Sequence, residues 1–213
     1  MPGLGQGHGA KKDIPMLLSA QLVSQEDTME DLFYTLRPTP FGTLAIVWMR
    51  AGKEEKVCRV FLPNERIPTE ELVRKAFPFS QKLTSSLIEE LGRQIDGFLR
   101  GKPVVFALDT TRLDQCPRFQ RRVLLAEHGI PRGWVSTYGR IARHLGIPGG
   151  ARAVGGALSS NPFPIIIPCH RAIRSDGEIG GFQGGPKMKR TLLELEGIRF
   201  SSTGKVLNPS LFY

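Results

Sequence analysis

STYGRIARHLGIPGGARAVGGALS, running from Ser136 to Ser159, carries the clearest architectural signal in the chain. Tyr138, Ile141, Ala142 and Leu145 recur at i, i+3, i+4 and i+7, behind Ser136 and Thr137 and ahead of Gly146 and Pro148. That order predicts a short amphipathic helix with a hydroxyl residue at its N-cap and a glycine-proline stop. A second helix is expected over Ala151 to Ser159, just after Gly149 and Gly150. Two short helices joined by a tight turn make a helix-turn-helix candidate, in which the second helix would lie against DNA.

The second helix is odd in composition. Over Gly150 to Ala157 only Arg152 and Val154 have bulk. Glycine inside a helix costs about 1 kcal/mol relative to alanine, so Gly155 and Gly156 side by side need a reason. Close approach of the helix backbone to a flat or narrow surface would supply one. The minor groove, roughly 6 Å wide, admits small residues and a single arginine but not a bulky helix. Tight packing against another helix is the competing explanation.

Working outward, a helix is expected over about Phe119 to His128, stopped by Gly129 and Pro131. Another is marked by Met188, Leu192 and Leu195. In the first half, Phe41–Met49 and Val57–Leu62 are β-prone runs separated by the polar turn Arg50–Lys56, as in a hairpin. Leu83, Leu87, Ile88, Leu91, Ile95, Phe98 and Leu99 then recur at helical spacing before Gly101 and Pro103. The fold expected is an α/β N-terminal domain, a small sheet plus helix, over residues 32–110. A mostly helical C-terminal domain with the helix-turn-helix follows over 116–200, between a mobile tail of residues 1–31 and a C-terminal tail of 201–213.

Charge divides along the same line. The 213 residues carry a net charge of +9, yet residues 1–115 hold 15 basic and 15 acidic side chains, so the surplus lies wholly in the second half. Between Arg118 and Arg174 nine arginines face one acid, Glu127. Arginine's planar fork suits phosphate contacts, and a surplus this concentrated suits a polyanion. No apolar run approaches the roughly 18 to 20 residues of a membrane span. Cys58, Cys116 and Cys169 are odd in number and widely spaced, which fits a reducing interior better than secretion. The N-terminus lacks the basic-then-apolar order of a signal peptide. The compartment expected is the cytoplasm and nucleoid in a prokaryote or the nucleus in a eukaryote.

The segment Asn161 to Arg171, NPFPIIIPCHR, is the most distinctive one chemically. Prolines at 162, 164 and 168 forbid a regular helix, so the segment must be an ordered loop that delivers Cys169 to a fixed place. A thiol is nucleophilic as thiolate, and a neighbouring His or Arg favours that form. His170 follows directly, but neighbours on a strand point to opposite faces, so it serves as a base only if the chain turns at Cys169 or a water bridges them. A third group should orient the imidazole. Glu196 is the best placed acid by type, with Glu178 and Glu194 as competitors. No metal and no cofactor is expected, since His8, His128, His144 and His170 show no ligand spacing with a cysteine.

Thr137-Tyr-Gly139, Ala151-Arg-Ala-Val-Gly-Gly-Ala157, Asn161-Pro162, Pro168-Cys-His-Arg171, Gly184-Gly185 and Leu192-Leu-Glu-Leu-Glu-Gly197 resemble the signature of the O6-alkylguanine-DNA alkyltransferases. The motifs come in that family's order over about residues 118–198. The first half resembles it only loosely, through Thr39–Leu44. The resemblance implies that Cys169 accepts the alkyl group from O6-alkylguanine in duplex DNA, with O4-alkylthymine as a weaker substrate. His170 and Glu196 would activate the thiol through a water, and Tyr138 would give the departing base a proton. Arg152 would fill the gap left by a flipped nucleotide, with Thr137, Ala151, Gly155 and Arg171 also at the DNA. Asn161 would hold the turn between helix and loop, and Pro164, Phe182 and Gln183 would wall the substrate pocket. Phe182 stands where the family has a tyrosine, and Gly150 where alanine is usual. The protein is expected to act once, as a monomer. A lesion-binding protein without transfer would lack Cys169, and a cysteine hydrolase would not need the glycine-rich basic helix.

Overall fold

The computed structural model describes residues 31–64, 66–207 and 209–213. The first half is built on a sheet of order β3-β2-β1-β4, with β1 Asp31–Thr39, β2 Gly42–Ala51, β3 Glu54–Phe61 and β4 Gln81–Lys82. β1 and β2 pair antiparallel in unbroken register from Asp31 opposite Arg50 to Thr39 opposite Gly42, and β3 adds antiparallel to β2. The expected hairpin is β2–β3, but its strands run further than the apolar runs and leave only Gly52 and Lys53 as the turn. Of the longer elements, β1 and helix α1 over Thr69–Ala76 had no counterpart in the sequence reading, and neither did the two-residue strands.

β2 is buried on both faces, and its period-2 alternation sorts the two sides. Leu44, Ile46 and Trp48 belong to the main core with Ile88, Leu91 and Ile95 of helix α2, Ser86–Leu99. Ala45 and Val47 face a smaller cluster closed by Val73 of α1. α2 starts where the Ser85 hydroxyl accepts from the Ile88 N–H at 3.3 Å.

The second half is helical, with α3 Arg118–His128, α4 Tyr138–His144, α5 Ala151–Ser159 and α6 Gly185–Leu195. Thr137 caps α4, its hydroxyl accepting from the Arg140 N–H at 3.2 Å. A two-residue parallel ladder joins β5, Ser136–Thr137, to β6, Ala172–Ile173. That ladder ties the start of α4 to the residues that follow Cys169–Arg171. The apolar face of α6 is Met188, Leu192 and Leu193, while Leu195 is exposed.

One core cluster runs through both halves, from Phe33 to Leu192. β3 also reaches the cysteine loop, Val60 N–H donating to the Pro162 carbonyl at 2.8 Å. Residues 210–213 run back along Val135 and Ser136 through backbone and hydroxyl hydrogen bonds, and the Tyr213 hydroxyl donates to the Ala126 carbonyl. The expected N-terminal tail, apart from Asp31, lies outside the described residues.

Candidate active site

The loop that carries Cys169 is held by Asn161, which is fully buried. Its amide oxygen accepts from the Phe163 N–H at 2.9 Å and its amide nitrogen donates to the Ile167 carbonyl at 3.2 Å, closing the loop on itself. Within the loop Ile165 sits at φ +76°, a region that β-branched residues avoid, at a cost of about 1–3 kcal/mol. Such strain persists only where the surroundings over-determine the conformation. Asn161→Ala removes both ties; the Ile167 carbonyl keeps the Cys169 N–H, but the buried Phe163 N–H is left unpartnered, so unfolding free energy should drop by about 1–3 kcal/mol in denaturant titration.

Cys169 opens a 3-10 turn, Cys169–Arg171, so the chain does turn where activation by His170 requires it. Cys169 lines a cavity of about 260 Å³ with Tyr138, Gly155, Leu158, Ser159, Gly181, Phe182 and Gln183. That is slightly below the roughly 300–1,000 Å³ of pockets for drug-sized ligands, a scale suited to a single nucleobase. Burial pushes the Cys169 thiol up to about 12, against the opposing hydrogen bond of Asn161. The resting group is the thiol, so any reaction at this sulfur would require the loss of its proton.

His170 is fully buried and its Nε2 lies 3.0 Å from Glu196 Oε1. A carboxylate accepts, so Nε2 carries the hydrogen and Nδ1 is left as an acceptor with no partner among the described residues. Burial lowers the His170 pKa more than Glu196 raises it, which keeps the imidazole neutral and basic at Nδ1. Phe98 of α2 packs edge-on against this ring, 5.7 Å between centroids.

Of the three candidate acids, Glu196 is the one in contact with His170. Glu178 and Glu194 are exposed and pair with Arg174 and Arg190. Burial alone would raise the Glu196 pKa, yet hydrogen bonds from His170 and Arg171 hold it at about 2. Arg171 corrects the sequence expectation. Its guanidinium donates to Glu196 at 2.7–3.2 Å and to the Ile130 carbonyl at 2.6 Å, inside the protein, so it is spent on positioning Glu196 rather than on DNA.

Tyr138 opens α4 with its phenol pushed up to about 12, mainly by burial, and so keeps its proton. Its hydroxyl leans on Gly180, where a Cβ would come within 2.9 Å and where φ is +71°. Phe182 and Gln183 form part of the cavity wall, and Gln183 ties it to Asn161 O at 2.7 Å. Pro164 is a second correction: it is buried in the loop, bridged to Ile167, and does not line the cavity.

On α5, Arg152 is exposed with no hydrogen bond or ion pair among the described residues, and Ala151 and Gly155 are half-buried. A Cβ at Gly156 would meet nothing within 4 Å, and at Gly155 only ordinary contact with Tyr138. Among the described residues, neither glycine is therefore required by tight packing against another helix. Thr137 is half-buried at its cap. Two interior residues escaped sequence reading, Glu127 and Lys189, both fully buried near this site. Nothing in the sequence distinguishes them from surface charges on amphipathic helices. Among the described residues no group of three or more His, Cys, Asp or Glu could hold a metal ion, and no helix is long and apolar enough to cross a membrane.

Residues 118–198 match the family described as 6-O-methylguanine DNA methyltransferase, DNA binding domain. The methylated-DNA--protein-cysteine methyltransferase of Methanothermobacter thermautotrophicus is 50% identical over 52% of this chain and 62% of its own length, so that alignment spans about three fifths of the relative. The protein of the same name from Mycolicibacterium paratuberculosis is 34% identical over 76% of this chain and 91% of its own. A crystal structure of Mycobacterium tuberculosis OGT in complex with DNA superposes with a TM-score of 0.62 at 31% identity, covering 77% of this chain and 92% of that one.

Proposed function

Because this chain belongs to the methylated-DNA--protein-cysteine methyltransferase family, we propose that it repairs DNA by moving the alkyl group of O6-alkylguanine onto Cys169. The observation that carries the proposal is one juxtaposition: a cysteine at the floor of a base-sized cavity, backed by a buried His-Glu pair, beside an exposed helix stripped of bulk. The relatives are named for transfer to a protein cysteine, and one neighbour was solved with DNA.

In the proposed reaction the sulfur attacks the alkyl carbon as its bond to O6 breaks. The thiol proton passes through a bridging water to His170 Nδ1, whose Nε2–H is held by Glu196. The phenol of Tyr138 gives its proton to the base, which leaves as guanine, and both groups recover their protonation from solvent. A thioether is a poor leaving group, so the acceptor is consumed and each molecule acts once.

The reacting atom is hidden in a duplex, so the nucleotide must be turned out of the stack, at a cost of a few kcal/mol that is smaller for a mispaired lesion. α4 and α5, joined by a short turn, form the helix-turn-helix. α5 enters the minor groove, where Gly155 and Gly156 let its backbone approach and Arg152 takes the vacated place. Arg118, Arg121, Arg122 and Arg143 are exposed and serve phosphates without regard to sequence. The test is a duplex with one O6-methylguanine, in which guanine should be restored in an amount equal to the protein added; restoration beyond that amount contradicts single use. Arg152→Ala should slow repair in duplex by about 10²-fold or more, the loss of a few kcal/mol of flipping energy, while changing reaction with the free base by less than about threefold. Equal losses on both substrates would remove its stacking role.

A further inference from the structure

Beside the His170–Glu196 pair, the interior holds a second set of charged groups that the transfer scheme does not use. Glu127, in the last turn of α3, is fully buried; neither carboxylate oxygen makes a hydrogen bond of ordinary length among the described residues, although the Ala172 N–H, just after the cysteine turn, faces the group. Lys189 of α6 is fully buried too. Its ammonium donates to the Ala172 carbonyl at 2.7 Å, just after the cysteine turn, and to the Gly181 carbonyl at 3.2 Å, in the cavity wall. The cation is thus clamped between the two segments that flank Cys169. Tyr138 of α4 and Tyr213 of the C-terminal segment also face this region, and Tyr213 covers the end of α3 through its bond to Ala126.

An uncompensated charge in such a place is expensive, so the number of charges matters. Arg171 and Glu196 cancel in direct contact, and His170 is neutral. Three groups remain, Lys189, Glu127 and Cys169, and the Lys189 cation can be balanced by one anion, either the Glu127 carboxylate or the Cys169 thiolate. We propose that Glu127 and Cys169 compete for the Lys189 cation, so that Glu127 is a positioning residue whose proton must be in place for the nucleophile to ionise.

The exchange is Cys–SH plus Glu–COO⁻ to Cys–S⁻ plus Glu–COOH, balanced in protons and charge. It rests on Cys169 being the nucleophile. The directions agree with a shared counter-charge: burial raises Glu127 to about 8 and lowers Lys189 to about 8, each opposing the other's shift, and the Glu127 charge adds to the burial that raises Cys169. Near neutral pH Glu127 keeps its proton, so that the Lys189 cation is available to the thiolate as it forms from the resting thiol; at alkaline pH Glu127 takes the cation for itself.

The test needs no DNA. The full chain is treated with iodoacetamide across pH, and carbamidomethylation of Cys169 is followed by mass spectrometry of its peptide. With Glu127→Gln, which cannot take a negative charge, Cys169 should react about tenfold faster than wild type near pH 9, equivalent to about one pKa unit, and within about twofold of it near pH 6.5. Lys189→Met should slow the reaction at both. Glu127→Leu provides a second charge-free variant, one that fills the space with an apolar group and is expected to melt higher than wild type. If the folded Gln or Leu variant follows the wild-type profile at alkaline pH, the competition does not exist. A negative result here leaves alkyl transfer untouched, and failure of alkyl transfer from DNA leaves the iodoacetamide profile readable.

Discussion

Glu196→Ala is expected to lower the stability of the protein by about 3–5 kcal/mol, because it strands a guanidinium and an imidazole in the interior. For a chain of this length that corresponds to a fall in Tm of roughly 10 °C, measurable by scanning calorimetry. Alkyl transfer should stop in the same variant, since His170 loses the group that fixes its tautomer. Glu196→Gln should keep more of the fold and little of the activity. The pH signature follows from the lowered pKa of Glu196, which burial opposes and the His170 and Arg171 hydrogen bonds impose. Such a carboxylate contributes its stability above the unfolded value of 4.5 and loses it as pH falls toward about 2. Glu127 has the opposite sign. Burial raises it, so its contribution declines as pH rises from 4.5 through about 8, and Glu127→Leu should remove that decline. Acid unfolding unchanged by Glu196→Gln would contradict the role given to the pair.

Cys169→Ala should bind duplex containing O6-methylguanine about as tightly as wild type and transfer nothing. Binding is assigned to the exposed arginines and to Arg152 on the outer face of α5, none of which is hydrogen-bonded to the sulfur, and the vacated volume is small. Gel-shift titration at fixed salt, beside a transfer assay, separates the two. A variant that loses binding along with transfer would mean that the thiol is needed to hold the lesion and not only to react with it.

Much of the second half could be read from sequence because its signals are local. The cap, the 3.6-residue spacing and the glycine-proline stop of α4 need no tertiary knowledge, and the observed helices α4 and α5 begin at Tyr138 and Ala151 as expected. The proline-locked loop could be foreseen as ordered, though its strained Ile165 could not. β1 was missed because Thr35, Arg37 and Pro38 interrupt its apolar pattern, while pairing with β2 supplies what the pattern lacks. α1 was missed because its amphipathic face reduces to Val73 and Thr69.

The site divides along the same physical line. Cys169 and His170 stand out by context, but the direction of Arg171 depends on where Glu196 and Ile130 lie in space, which no spacing encodes. Glu127 and Lys189 read as solvated charges, because burial of an ion is decided by elements far away in the chain. The first half supports the site through Phe98 against His170 and Val60 against Pro162.

Mass spectrometry of the protein after reaction with excess duplex carrying O6-methylguanine decides whether Cys169 is the acceptor. One methyl group per molecule, on the peptide that contains Cys169, with no further guanine restored once that peptide is fully modified, is the expected result. Continued turnover, or a methyl group on Cys58 or Cys116 instead, would contradict it.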